Sequence, residues 1–585
     1  MTGRSQRYLA MAILAAFALA TPSSSVAVMP ILDRGVLVVL VPGASFERLV
    51  SVPEVRALAR AGGAALMSSR TSLPQLLGEA FPKSETYPLP SATTDLRFEI
   101  LEFGLGPAPD PWSEFGIDIR REVAEFDRVG EVMVVVASSS ESPTMLVAKD
   151  ELTPLIVASG PAGSLFSSTG ALHTLASDTT RRTGVVSDED VVPTILGFVG
   201  HTFGGNPQPE GLTGSILRVV DAPPPFELHE RYLAQRRMSV PIGIAAGLYV
   251  TLAGLFGFVL LGLGRRVPPR LAHFAAWLAM AVPVLGVTLL AAGHLPTLSY
   301  ATVVPFLIGV TAVGTLAFVP LRRFGALVPP AAIGAAVLAY FVVEAALGWT
   351  AALTPLHGGS ELDGGRFYGL PNAFIGLLIG ASLYVAHRMN TIVGFVLIVA
   401  VALFAGLPGI GANLGGAVAL FAAAGLWLAQ RRLGRIGWKG AVLTAVIVVV
   451  GVVIVLLAHR FLTSSPTHIT RFEESPGGLG GMWGTFTDRL MVGWRLIVLN
   501  PFALVPVLGL PVVLVVLLRP PAPLRGPLAA HPEWRDALLV TILASMVAYV
   551  ANDSGAAACG LGFALGLGGL FYVSLIEGTW KMAAT

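Results

Sequence analysis

Beyond Ser239 the chain is an almost unbroken succession of apolar segments, and this constrains it more than any other feature. A run of about 20 apolar residues is long enough, as a helix, to span the hydrocarbon of a bilayer. Such runs fall near residues 240–263, 270–293, 299–319, 325–347, 371–387, 390–407, 412–429, 440–458, 497–518, 536–552 and 555–576. They predict an all-α polytopic membrane domain of about eleven transmembrane helices over residues 239–585. Composition agrees, because 54% hydrophobic and 13% charged residues leave too few polar groups to cover a soluble particle of 585 residues. A formal net charge of +2 supplies no basic field and excludes nucleic acid as a partner. The single cysteine, Cys559, excludes an internal disulfide and a multi-thiolate metal site.

Ahead of this block the chain changes character twice. Met1 to Arg7 carries two arginines, Tyr8 to Ala20 is apolar but short, and Pro22 breaks the run. Ser25-Val26-Ala27 then offers the small residues of a cleavage site, so residues 1–27 read as a signal peptide. An uncleaved anchor helix is the alternative, and either one exports the next segment of the chain. From Met29 to Met238 charges return and no apolar run reaches spanning length, which predicts an extracytoplasmic α/β domain. Gly35 to Val41, Glu131 to Ala137 and Leu152 to Ala158 read as buried strands. Pro53 to Gly62 has helical spacing, and Asp190 to Val199 reads as a helix entered through an acidic cap and Pro193. Continuous apolar strands alternating with helices imply a sheet covered on both faces.

Charge then orients the block. With residues 29–238 outside, the connections expected inside carry Arg265, Arg266, Arg322, Arg323, Arg431 and Arg432 among others, whereas the outer ones hold only Arg366, Arg460, Arg471, Arg489 and Arg495. This is the positive-inside bias of a multi-pass plasma-membrane protein. Trp349, Trp427, Trp438, Trp494 and Trp580 sit near span ends, as an aromatic belt does.

The phrase VLVVLVPGASFERL, followed by PEVRALARAGGAALM, resembles the opening of alkaline-phosphatase-superfamily domains, and TTRRTGVVSDEDVVPTILGFVG resembles their closing D-x-x-P-T stretch. The resemblance covers about 170 residues and implies an alkaline-phosphatase-like fold. Active members hold two divalent metals on Asp and His ligands beside a Ser or Thr nucleophile. Here Pro42 stands where the first acidic ligand belongs, no Asp-His pair occurs between Met29 and Met238, and His173, His201 and His229 are scattered. The domain is therefore expected to be degenerate, metal-free and catalytically inactive, with Ser68, Ser69 and Thr71 as turn polarity and His173 and Asp178 as surface groups. The whole chain, with GGRFYGLPN, GANLGG, THITRF and NDSG, resembles uncharacterised bacterial envelope membrane proteins. No activity comes with that likeness.

Charged and amide groups are costly in hydrocarbon, so those gathered at one depth point to a working surface. They gather on the expected outer side. Glu344 lies near the outer end of its span, and the following loop holds Glu361, Asp363, Arg366 and Tyr368. The loop from His459 to Arg495 adds His468, Arg471 and Arg489. Three inward-running spans open beside amides or acids, at Asn372, at Asn413, and at Asn552-Asp553. Helix starts at one level, with arginines above, suit a phosphate or pyrophosphate headgroup whose tail stays in the bilayer. The competing reading has each Asn cap its own helix and the arginines pair locally. Gly415-Gly416 and the glycines from Gly560 to Gly569 suit close helix approach rather than nucleotide binding.

Three classes of function stay open, each using membrane lipid and a lipid-linked glycan or phosphate or an envelope protein as partner, and none needing a cofactor. One is a transferase acting on a polyprenyl-phosphate-linked donor, with His468, Glu361 or Asp363 as acid or base. Another is a transporter with Glu344 as a buried coupling or substrate group. The third is a non-catalytic assembly scaffold. No complete nucleophile or metal constellation is present, which tilts the balance from catalysis toward transport or assembly.

Overall fold

The computed structural model describes residues 34–41, 44–68, 86–88, 95–102, 111–126, 131–138, 153–168, 171–180, 182–199, 214–222, 226–263, 266–349, 351, 356, 369–462, 504–552 and 555–583. The N-terminal part is a nine-stranded mixed sheet. Its strands are β1 (Arg34–Leu40), β2 (Gly63–Ser68), β3 (Thr86–Pro88), β4 (Asp95–Glu102), β5 (Glu131–Ala137), β6 (Thr153–Gly160), β7 (Thr174–Ala176), β8 (Val185–Ser187) and β9 (Arg218–Val220). The order is β3-β4-β1-β5-β6-β2-β7-β9, with β8 paired to β2. β1 runs parallel to both β4 and β5, while β6 is antiparallel to β5 and β2.

Strand alternation divides the core. Leu37, Val39 and Val41 join one cluster with helices α1 (Phe46–Ser51), α2 (Pro53–Ala61) and α3 (Pro111–Glu125). Val36, Val38 and Leu40 join another with α4 (Val191–Val199). Successive side chains point to opposite faces, so a strand buried on both sides must be apolar throughout. The strands and helices read from the sequence are found where they were expected. Pro42, Ser69, Thr71 and His201 lie outside the described residues. Asp178 pairs with Arg218 at the surface.

Asp190 knots the far end of the sheet. Its two carboxylate oxygens accept the backbone N–H groups of Ser187 and Ser215, each at 2.8 Å. Thr194 donates to the Asp190 carbonyl at 2.6 Å and accepts from Leu217 N at 2.9 Å. The D-x-x-P-T stretch thus serves as a clasp in this chain. Burial pushes the Asp190 carboxyl above its ordinary value of 3.8, against the pull of hydrogen bonds from Thr179, Ser177, Ser215 and Ser187.

The clasp gives way to one long helix, α5 (Phe226–Leu263), which joins both halves of the molecule. Tyr232 is buried in the core of the sheet domain. Met238 and Ile242 of the same helix pack with Leu289, Ala292, Val303 and Leu356. The boundary expected at residue 239 therefore falls inside a continuous helix.

The remaining helices are α6 (Pro269–Ala291), α7 (Tyr300–Leu316), α8 (Val328–Ala346), α9 (Ile375–Ala386), α10 (Thr391–Gly406), α11 (Leu414–Leu433), α12 (Trp438–Leu462), α13 (Leu504–Leu518), α14 (Ala522–Ala530), α15 (Pro532–Ala551) and α16 (Gly555–Ala583). Among the described residues, eight helices are long and apolar enough to cross a membrane. Three further apolar helices, Asn372–Ala386, Thr391–Gly406 and Gly509–Leu518, are shorter and stand where the other three spans were expected. The chain is a multi-pass membrane protein. In the most apolar stretch of α16, 89% of residues are buried, against 11% in α7 and α12, so α16 is the axis of the bundle and the latter two face outward.

Glycines let the axis be approached closely. A Cβ at Gly376 would overlap the Ala558 carbonyl, and one at Gly415 the Ala551 carbonyl. The basic residues collect at the end away from the sheet, where Arg431 and Gln430 hold Asp536 at 3.4 and 2.9 Å and His531 meets Glu577 at 3.2 Å.

Two outcomes are expected in thermal unfolding of the full chain in detergent. Asp190→Asn can accept only one of the two backbone donors and lowers stability by about 1–3 kcal/mol. Because the folded carboxyl titrates above the unfolded one, its contribution is complete below about pH 3.8 and declines as pH rises through the raised folded value. The advantage of wild type over the Asn variant therefore narrows with rising pH; a widening gap refutes the burial argument. Gly376→Ala costs about 1–3 kcal/mol by overpacking α9 against α16, and an unchanged midpoint would contradict that approach.

Candidate functional site

At the sheet-proximal end of the bundle an apolar interior has to accommodate a carboxylate. Glu344, in the last turn of α8, is 1% exposed. Its Oε1 accepts the Ala351 backbone N–H at 2.6 Å, and its Oε2 lies 2.8 Å from His294 Nε2. A buried carboxylate without such partners is strongly disfavoured. His294 ends the 3₁₀ turn Ala292–His294 that follows α6, and its side chain is 39% exposed. The pair thus joins a group sealed in the protein to one that reaches its surface.

Backbone geometry closes over the carboxylate. After α8 the chain turns through Gly348 (φ 72°) and Trp349 (φ 61°), and Trp349 N donates to the Glu344 carbonyl at 2.9 Å. The buried Trp349 indole donates to the Ile410 carbonyl at 2.5 Å. Gly293, beside His294, has no room for a Cβ against the Ala351 carbonyl, and its own carbonyl accepts from Arg231 of α5.

The Ile410 turn leads to a second polar group. Leu370 N donates to Gly411 O at 2.8 Å, Ala412 holds φ 47°, and Asn413 N donates to Ala405 O at 2.8 Å. Asn413 is 1% exposed and caps α11, its Oδ1 accepting Gly416 N at 2.8 Å. Its Nδ2 donates to Leu370 O at 3.0 Å and to Asn372 Oδ1 at 2.9 Å. Across Gly415 stands Asn552, with Oδ1 2.7 Å from where a Cβ would lie. The three amides read as helix starts thus come together at one level.

Their roles differ from those expected. Only Asn413 is a side-chain N-cap. Asn372 opens a 3₁₀ turn whose N-cap is Pro371 and is used as an acceptor for Asn413. Asn552 closes α15, donating from Nδ2 to Ala548 O at 3.0 Å. In a packed interior an amide bonds whichever donor or acceptor lies nearest, and neighbouring helices supply it as readily as its own. The aromatic belt needs a similar correction: Trp349 and Trp427 are buried, with indole N–H groups on Ile410 O and Thr391 O, whereas Trp438 is 74% exposed and suits an interface, and the Trp580 side chain lies outside the described residues. Trp494, Glu361, Asp363, Arg366, Tyr368, His468, Arg471, Arg489 and Asp553 lie outside the described residues.

Sequence reasoning missed His294 and the two left-handed residues. A lone histidine after a span carries no sign of a partner 50 positions away, and positive φ at Trp or Ala has no sequence mark. Among the described residues no group of three or more His, Cys, Asp or Glu is placed to hold a metal ion. Fold and site together define a multi-pass membrane protein with an α/β domain and, at the adjoining end of its bundle, a network joining a buried acid to a half-exposed imidazole and to amides. No family model, curated protein or solved structure matches the chain.

The strain at Ala412 is open to test. Glycine removes a left-handed penalty of about 1–2 kcal/mol while losing one buried methyl and gaining chain entropy of similar size. Ala412→Gly should leave the unfolding midpoint nearly unchanged, whereas the β-branched Ala412→Val should lower it markedly. Equal effects would remove the strain argument.

Proposed function

We propose that this chain is a polytopic cell-envelope biogenesis protein that moves or hands over an anionic, lipid-linked substrate, such as a polyprenyl-phosphate-linked glycan, at the sheet-proximal end of its bundle. In this reading the three shorter apolar helices complete an eleven-span bundle, the α/β domain stands outside the cell and the basic end faces the cytoplasm. The α/β domain is a metal-free, inactive relative of the alkaline-phosphatase superfamily that contacts substrate or an envelope partner. Its Asp190 is spent on backbone N–H groups.

One observation carries the reading: Glu344, buried and bonded to half-exposed His294, is tied through Trp349 and the Ile410–Asn413 turn to Asn372 and Asn552. An intramembrane ionisable group joined to a polar network marks a pathway more often than a structural element. It favours transport over group transfer, because the described network offers an acid and an imidazole already bonded to each other rather than a free nucleophile.

Proteoliposomes test it. Purified protein should move a labelled polyprenyl-phosphate-linked glycan between leaflets, and Glu344→Gln should abolish movement while leaving the protein folded. Product formation from the same lipid in detergent, or no movement by the wild-type protein, would defeat the transport reading, and full movement by the Gln variant would remove Glu344 from it.

A further inference from the structure

Two independent observations meet at Glu344. The first is chemical. Both carboxylate oxygens are turned to nitrogen, Oε1 to the Ala351 amide and Oε2 to His294 Nε2. A hard metal cation requires several oxygen ligands around it, and oxygens engaged by N–H groups serve it poorly. A proton needs only the carboxylate–imidazole contact.

The second observation is conformational. Trp349 (φ 61°) and Ala412 (φ 47°) are the only non-glycine residues with positive φ among the described residues. Both lie in the segments that close this site, and they are joined through the Trp349 indole on Ile410 O. Strain of this kind persists where surrounding structure holds it, and its release is available to a switch.

We propose that the His294–Glu344 pair binds one exchangeable proton and that loss of this proton releases the Gly348–Trp349 turn and the Ala351 amide contact; the proposal rests on reading this end of the bundle as the working site. With the proton shared between Nε2 and Oε2 the pair is neutral overall. When it leaves through the imidazole to water, an anionic carboxylate stays buried beside a neutral ring, the Ala351 amide and the Tyr340 hydroxyl. That state is costly in apolar surroundings. Hydrating Glu344 relieves it, and the contact of Ala351 N with the carboxylate is what must open. The exposure difference, 39% at His294 against 1% at Glu344, makes the imidazole the entry point.

Neighbouring elements bring further polar groups to the pair. From α8 it is faced by Tyr340, and from α5 by Arg231, which is held on the Gly293 carbonyl. The turns before α9 and α11 bring Asn372 and Asn413, which do not titrate. The coupling ion of the proposed transport is thus the proton.

Infrared pH-difference spectra of the full chain in lipid nanodiscs, in potassium buffer, provide the test. A protonated-carboxyl band and an imidazole band should change with one shared midpoint, because strongly interacting groups titrate as a unit. Glu344→Gln should lose the carboxyl band, and His294→Gln the imidazole band. Trp349 emission, taken as the difference from Trp349→Phe, should follow the same midpoint. Wild-type spectra alone can overturn the proposal if no carboxyl band accompanies an imidazole band. A midpoint displaced on replacing potassium with sodium overturns it in favour of a metal cation, and static Trp349 emission overturns the link to the turn. Lipid transport failing with this titration intact removes the proposed substrate only; transport persisting without the titration removes the proton site only.

Discussion

A polar group shut away from water must find its partner inside the protein, and the upper end of this bundle is organised around that requirement. Glu344 is the extreme case, since a carboxylate has the most to lose on burial. Its two oxygens draw in His294 from the end of α6 and Ala351 from beyond α8. Reaching Ala351 forces the chain through a left-handed Trp349, whose indole must in turn be satisfied and takes the Ile410 carbonyl. From there the Leu370–Gly411 bond and the Asn413 amide carry the same logic to α9 and α11.

The helices that carry these groups are brought together by the opposite property, the absence of side chain. Gly376, Gly415, Gly562 and Gly569 leave no room for a Cβ beside α9, α15 or α16. In a lipid environment apolar burial contributes little to helix association, so close backbone packing and interhelical hydrogen bonds must do it. Amides at Asn372, Asn413 and Asn552 meet because glycines let their helices meet. Stability and the candidate site therefore depend on the same small residues.

The α/β domain is coupled to this end rather than appended to it. α5 places Tyr232 in the core of the sheet domain and, within a few residues, Met238 and Ile242 among Leu289, Ala292 and Val303. Arg231 on the same helix holds the carbonyl next to His294. A helix with side chains sunk into both bodies transmits displacement, whereas a flexible linker does not. The α/β domain is thus joined through one helix to the backbone beside His294.

Periodicity and chemistry made much of this legible. Apolar run length located the helices because hydrocarbon thickness sets a length scale that sequence must match, and β-branched runs such as Gly35 to Val41 marked strands buried on both faces. Glu344, Asn372, Asn413 and Asn552 stood out because such groups are rare in apolar surroundings. Their partners did not, because hydrogen-bond pairing between segments far apart in sequence leaves no local trace. By itself, then, the sequence determined the two-part plan, the placement of apolar helices and which polar residues lie at the sheet-proximal end, since each depends on short-range composition. Only tertiary structure decided that His294 would meet Glu344, that Asn372 would serve Asn413 rather than cap its own helix, and that Trp349 would turn inward. Those choices belong to packing, where a buried donor takes the nearest acceptor whatever its distance along the chain.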